Sequence, residues 1–339
     1  MDVAVTALDP TDPVGTEHAY KIKAACTAAD MPDFPPTCRE FFFGNLRHPW
    51  PGDQPRYALA HLDGVPVGLL EIELPQLENT DNAPIDIYVL PEFQRRGVGR
   101  FMFEHALDVV RGLGRKRVFG MTVTALPDGP PRPEPGTRFA QAMGMKSALV
   151  DVRRRLDTTS LDEAGLDRLL TASWQHAEGY SAVRWYGAAP QEYLDDVAYL
   201  DSRLLSDAPM GDLDWEPDKT DAARVRAIEA ARDARGRRAY HAGVVHDASG
   251  RLVAWTTIDV NASQRWHAFQ QITLVEPTHR GHRLGTIVKI ENLRHAMAGE
   301  PELRAIDTWN AAENQHMIAI NEAIGFRARD GWHNWQLNL

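Results

Sequence analysis

Pro84-Ile85-Asp86-Ile87-Tyr88-Val89-Leu90-Pro91-Glu92-Phe93-Gln94-Arg95-Arg96-Gly97-Val98-Gly99-Arg100 decides how the rest of the sequence is read. Its β-branched and aromatic opening predicts a strand. Pro91 stops that strand, and Gly97 and Gly99 introduce a helical pattern through Phe101, Phe103, Ala106, Leu107 and Val110. Strand, glycine-bearing turn and helix together leave the first backbone N–H groups of the helix without partners. Those donors and the positive end of the helix dipole suit an anionic group, phosphate above all. The stretch has neither the full dinucleotide fingerprint nor the Gly-Lys-Ser/Thr of a nucleotide P-loop. Ordinary strand-to-helix turns also use short Gly-x-Gly pairs, so a second, independent sign is needed.

An internal repeat supplies it. Gly64 matches Gly250, Pro91 matches Pro277, Gln94 matches Arg280 and Gly99 matches Gly285. Each pair lies 186 residues apart (250 − 64, 277 − 91, 280 − 94, 285 − 99). Both halves read as strand, two helices, three strands, helix, strand, helix, strand, with hairpins turning at Asp63-Gly64 and Ser249-Gly250. That order is not a Rossmann alternation. It predicts an α/β fold built on a mixed, mostly antiparallel sheet flanked by helices, occurring twice. The expected domains are residues 1–157 and 180–339, joined by a helix within 158–179.

Bulk composition narrows the function classes. The 339 residues are 43% apolar and 25% charged, and no apolar run approaches the ~18 residues of a membrane span. The start MDVAVTALDP has no basic, signal-like segment, so the expected location is cytoplasmic with no membrane partner. A net charge of −10 argues against nucleic acid, whose binding rests on phosphate neutralisation. Cys26 and Cys38 form no metal-spaced pair. His279 and His282 read as solvated loop positions, and no metal is expected.

The motif Gln94-Arg95-Arg96-Gly97-Val98-Gly99-Arg100 resembles the Gln/Arg-x-x-Gly-x-Gly/Ala signature of the GCN5-related N-acetyltransferases (GNAT superfamily), and its tandem partner is Arg280-Gly281-His282-Arg283-Leu284-Gly285. With both halves matched, the chain resembles tandem family members of the mycothiol synthase type. The resemblance implies a loop that holds the pyrophosphate of acetyl-CoA, and a strand that splays from its neighbour. The pantetheine arm then pairs with the freed strand edge, which includes Val89 and Val275. It also implies acetyl transfer to a primary amine of a small molecule or peptide by direct attack. The chain would act as a monomer or homodimer. The alternative is a CoA-binding sensor or scaffold without turnover.

The halves depart from the family pattern in different places. In the second, Arg283 replaces the first loop glycine, yet Asn310, Asn314 and the closing Gly325-Phe326 match the family's later motif. Asn314 is expected at the CoA arm, and Asn310 either there or capping a helix. The first half lacks that Asn. The family's acid tyrosine is replaced by Ala140 and Asn321, so either another residue such as Tyr88 or Tyr240 protonates the leaving thiolate or the zwitterionic intermediate donates its own proton. For the base, Glu71 and Glu73 share one face of their strand, Asp86 lies on the adjacent strand, and Asp259 matches Glu73. Each also reads as part of a solvent-facing acidic edge. The intact later motif assigns catalysis to the second half, with the first structural or binding CoA without turnover; the opposite assignment stays open because the first half keeps both loop glycines.

Overall fold

The computed structural model describes residues 2–339. In chain order the strands are β1 (Val3–Ala7), β2 (Arg56–Leu62), β3 (Val65–Ile72), β4 (Asn82–Val89), β5 (Arg117–Ala125), β6 (Lys146–Asp157), β7 (Tyr180–Tyr186), β8 (Arg237–His246), β9 (Arg251–Asn261), β10 (His267–Val275), β11 (Ala305–Ala311) and β12 (Arg327–Asn338). The helices are α1 (Pro13–Asp30), α2 (Arg39–Arg47), α3 (Val98–Gly112), α4 (Pro135–Ala142), α5 (Glu163–Trp174), α6 (Leu194–Ser202), α7 (Leu204–Asp207), α8 (Ala222–Ala234), α9 (Leu284–Gly299) and α10 (Gln315–Ile324). The order anticipated is the order observed in the first half; the second adds a short helix, α7, between the two anticipated after its first strand.

Two compact units form. One comprises Met1–Asp151, Met210–Glu216 and Asp330–Leu339; the other comprises Val152–Pro209 and Pro217–Arg329. Each unit is therefore completed by a strand segment from the other half of the sequence. In the first unit, residues 330–338 of β12 pair antiparallel with β5, from Asp330↔Ala125 to Asn338↔Arg117. In the second, β6 lies beside β11.

Local chemistry explains the elements that frame the first unit. Asp12 caps α1 by accepting from the Val14 and Gly15 amides (3.0 and 3.1 Å), with Pro13 at the first helical position. Asp63 and Gly64 both adopt left-handed φ (51° and 82°), giving the tight turn that sets β2 against β3. Helix α3 buries Val98, Met102, Phe103, Ala106 and Val110 against a sheet face that includes Val67, Leu70, Ile72 and Ala83. The Pro/Gly-rich loop after β5 is pinned by Arg132, whose guanidinium donates to Asp330 (2.7 and 3.0 Å) and pairs with Asp33 (2.5 Å).

The second unit is held partly by a buried ion cluster. Asp307 on β11 accepts from Arg153 (3.0 Å), twice from Arg155 (both 2.7 Å), and contacts His267 Nε2 at 2.9 Å. Burial works against its charge, but Arg155, His267 and Arg153 outweigh it and hold the carboxyl well below the usual range. Asp307→Ala removes the carboxylate that the fully buried Arg153 shares with Arg155. The expected loss is about 3–5 kcal/mol of unfolding free energy, read from urea denaturation; a loss near zero would show that the cluster contributes nothing.

Candidate active site

The two parallel strand pairs open at matching places. β4 pairs with β5 only at Asn82↔Arg117, Ala83↔Val118 and Pro84↔Phe119, although β4 runs on to Val89 and β5 to Ala125. β10 pairs with β11 from His267↔Ala305 to Phe269↔Asp307, then both continue without pairing to each other. Residues 85–89 and 270–275 therefore each turn one backbone edge away from the sheet ladder, and an extended arm can add there.

At the end of β4 the loop has the shape its glycines suggest. Arg95 and Gly97 both take left-handed φ (61° and 87°), and Gly97 is the helix-cap residue of α3 with no side-chain cap. The first amides of α3 are thus left for an external acceptor. Gln94 Nε2 donates to the Val89 carbonyl at 3.1 Å, bracing the loop against the strand. Arg96 stacks on Phe93 (5.3 Å) and Val98 is buried in the core. A cavity of about 430 Å³ runs from this loop past Val89, Tyr88 and Phe139, and Arg95, Arg100 and Arg138 line it. These residues fit a CoA thioester: amides and guanidiniums for the diphosphate, the freed edge of β4 for the arm.

Beside the cavity, one face of β3 and β4 carries the acidic cluster. Glu71 lies directly opposite Asp86, and the Glu73 amide donates to the Pro84 carbonyl (2.9 Å), so Glu71, Glu73, Asp86 and Tyr88 share a face. Lys23 of α1 pairs with Glu71 at 2.7 Å and sits 5.0 Å above the Tyr88 ring. Burial, then Asp86, Asp53 and Glu71, pushes the Glu73 carboxyl up to about 7. Burial and Glu71 push Asp86 up to about 6. Solvent reaches Glu73 and part of Asp86, which screens these effects, but one ammonium against three carboxylates fixes their direction. Burial and Asp86 raise Tyr88 well above an ordinary phenol. For Lys23, burial lowers the ammonium, and Glu71, Tyr88 and Asp86 more than restore it.

The second unit keeps the backbone and changes the chemistry. Gly281 and Arg283 take left-handed φ (90° and 56°), so the two loops share a conformation with glycine and arginine exchanged between its two turns. Arg283 in that conformation costs about 1–2 kcal/mol. Arg280 Nε donates to the Val275 carbonyl (3.3 Å), as Gln94 does to Val89, and its far end pairs with Asp207 (2.8 Å). Leu284 is buried, and Gly285 packs toward Val275 and Ile320. His282 and His279 are half-buried loop positions that pack around Tyr180, with ring centroids at 5.2 and 5.7 Å, and His279 Nδ1 lies 2.8 Å from its hydroxyl. Among the described residues no group of three or more His, Cys, Asp or Glu side chains is placed to hold a metal ion.

The second unit's carboxylate side is closed. Thr257, Ile272 and Leu274 stand where the repeat places Glu71, Asp86 and Tyr88. Asp259, 2% exposed, pairs with Arg232 and Arg237, each at 3.4 Å. Trp185 and Trp255 sandwich His241 and join Leu194, Val197 and Leu200 in a core cluster. Tyr240 donates to Glu300 (2.9 Å), and burial with that bond raises its phenol. Asn314 is the cap of α10, accepting from the Met317 amide (3.2 Å), and Asn310 accepts from Asn321 (2.6 Å). Sequence reasoning missed Lys23, Arg138 and Phe139. Lys23 carried a usable signal, a lysine next to Ile22 on the helix face that also buries Ala19 and Cys26.

Comparison with known proteins adds to this geometry. Residues 23–126, which hold the acidic cluster and the first loop, match the family model for the acetyltransferase (GNAT) family. A tandem GNAT protein from the clavulanic acid biosynthesis pathway shares 30% identity with a TM-score of 0.82, over 99% of this chain and 98% of that one. The chain belongs to the GNAT family. It is a tandem GNAT acetyltransferase, and the family draws its acyl group from acyl-CoA. At lower identity the fold alone is shared. A GCN5-related N-acetyltransferase from Sphaerobacter thermophilus is 14% identical (TM-score 0.64; 99% of this chain, 95% of that one). The glucosamine N-acetyltransferase region of a fungal multi-domain GH3 β-N-acetylglucosaminidase is 13% identical (TM-score 0.67; 99% and 38%). No curated protein matches by sequence. Among the described residues no helix of this tandem GNAT is long and apolar enough to cross a membrane.

Proposed function

We propose that the first unit transfers an acetyl group from acetyl-CoA to a primary amine by direct attack, with Glu73 and Asp86 receiving the amine's proton and Tyr88 supplying the thiolate's. The observation that carries this reading is the placement of Glu71, Glu73, Asp86 and Tyr88 on one face beside the freed edge of β4. When bound, acetyl-CoA supplies an activated acyl thioester. An ammonium must lose a proton before it can attack, and a carboxyl near 6 or 7 exchanges protons readily at neutral pH. Tyr88 lines the cavity and faces Asp86 and Lys23, so a protonated phenol stands beside the route of the departing thiolate. Cys26 also lines the cavity, but burial, Asp30 and Glu92 push its thiol up to about 12. A protonated thiol is a poor nucleophile, which supports direct attack over an acyl-cysteine route.

The bound donor and the acceptor amine belong to one unit in this reading, and Asp259 has a structural role. The test is free-thiol release from acetyl-CoA across a panel of primary amines. Tyr88→Phe is expected to lower kcat by about 10²-fold, whereas Asp259→Asn retains kcat. Thiol release abolished by Asp259→Asn and untouched by Tyr88→Phe would move the chemistry to the second unit. Acetyl-CoA binding without amine-dependent release would favour the sensor reading.

A further inference from the structure

Three positions on the α3- and α9-facing side of the sheets separate the units. In the first, Leu70, Ile87 and Phe103 pack together in the apolar core. The repeat places Thr256, Thr273 and Lys289 at the same positions in the second. Thr256 is fully buried and Lys289 is 3% exposed.

The proton count around these side chains is specific. Thr256 Oγ1 donates to the Ile272 carbonyl (2.8 Å) and accepts from Gln270 Nε2 (2.9 Å). Its proton is thus spent, so in the 2.8 Å contact between the two hydroxyls Thr273 is the donor. Thr273 then offers a lone pair to Lys289 Nζ at 3.5 Å, and Phe326 lies 5.7 Å from the same nitrogen. No carboxylate among the described residues pairs with Lys289, and burial alone lowers its ammonium to about 7. In its charged form two of its three N–H donors have no acceptor among the described residues, a costly arrangement for a core position. Thr273 belongs to the stretch of β10 beyond Phe269↔Asp307, where pairing with β11 has ended. The amine therefore lies 3.5 Å from a side chain of the freed stretch of β10, at a position that is apolar in the first unit.

We propose that the second cleft binds an acyl-CoA whose acyl chain ends in a carboxylate, with the Lys289 ammonium pairing with that carboxylate and Thr273 as a positioning residue. This rests on the second loop, with its shared conformation, still holding a CoA diphosphate. A neutral acyl chain leaves the two donors unpaired, whereas a carboxylate accepts both.

Calorimetric titration on the full chain tests it, with Gly99→Glu blocking the first loop and succinyl-CoA, butyryl-CoA and free succinate as probes. Succinyl-CoA is expected to bind at least about tenfold more tightly than butyryl-CoA, the margin of one charge-assisted hydrogen bond. Lys289→Met, close in volume, should remove that preference, and Thr273→Val should reduce it. A preference that survives Lys289→Met, or no preference at all, overturns the role of Lys289. Failure of both thioesters to bind overturns the loop reading instead. Succinate binding as tightly as its thioester would mean that the cleft takes a free carboxylate. A succinyl adduct on Lys289, seen by intact mass, would make it an acyl acceptor and overturn the pairing.

Discussion

Gly99→Glu is expected to weaken acetyl-CoA binding at least about 100-fold while the protein stays folded. A Cβ at residue 99 would lie 3.4 Å from the Phe139 ring and 3.8 Å from Val89, ordinary contacts that cost little. What lies beyond the Cβ makes the difference, because Gly99, Val89 and Phe139 all line the cavity. A glutamate there extends into the channel and carries its charge to the first turn of α3. Its carboxylate competes for the amides that would hold a phosphate, and like charges brought together in this way cost several kcal/mol. Gly285→Glu makes the same change in the second unit, and acetyl-CoA affinity should be unchanged. Calorimetry on the two variants beside the wild type gives the answer. Acetyl-CoA binding lost with Gly285→Glu and retained with Gly99→Glu would reverse the assignment of the units.

Removing the proton acceptors should have the other large effect. Glu73→Gln combined with Asp86→Asn is expected to lower kcat by about 10²–10⁴-fold with acetyl-CoA affinity nearly intact, since neither residue belongs to the loop. The single variants should each cost less, because either carboxyl can take the proton when the other is neutral. The sign of the pH dependence follows from the raised carboxyls. A base must be ionised, and Glu73 and Asp86 hold their protons up to about 7 and 6. The kcat/KM of the wild type should therefore climb as pH rises through that window. Stability runs the opposite way. A carboxyl raised in the folded state binds more protons than in the unfolded chain, so its contribution falls as pH rises from the ordinary carboxyl range toward neutrality. Lys23→Met removes the cluster's one ammonium and should move the activity profile to higher pH. A flat pH profile between 5 and 8, or a double variant with wild-type kcat, would sink this mechanism.

The acidic cluster shows why the site was only half legible. Two-residue alternation put Glu71 and Glu73 on one strand face, and alternation carries no information about what covers that face. Lys23 arrives from α1, 48 residues earlier in the chain, and its pairing with Glu71 leaves Glu73 and Asp86 as the carboxyls that need protons. In the second unit the same blindness misled. Asp259 matches Glu73 in register, but the two arginines that claim it come from α8 and β8, and no local pattern announces them. The later motif behaved similarly: Asn314, expected at the CoA arm, caps α10, whereas the local pattern had offered the capping role to Asn310.

What the amino-acid order determined by itself was the element sequence, the repeat and the two loops. These depend on contacts and dihedral preferences within a few residues: Pro91 ends a strand, Gly97 turns left-handed before α3, and Asp63-Gly64 closes a hairpin. Tertiary structure alone decided which strand completes which unit, since β-pairing joins residues far apart, as Asp330 with Ala125. It also decided which cradle faces usable carboxyls. Charge and burial at one point are sums over every chain segment that reaches it, and those segments meet only in the folded protein.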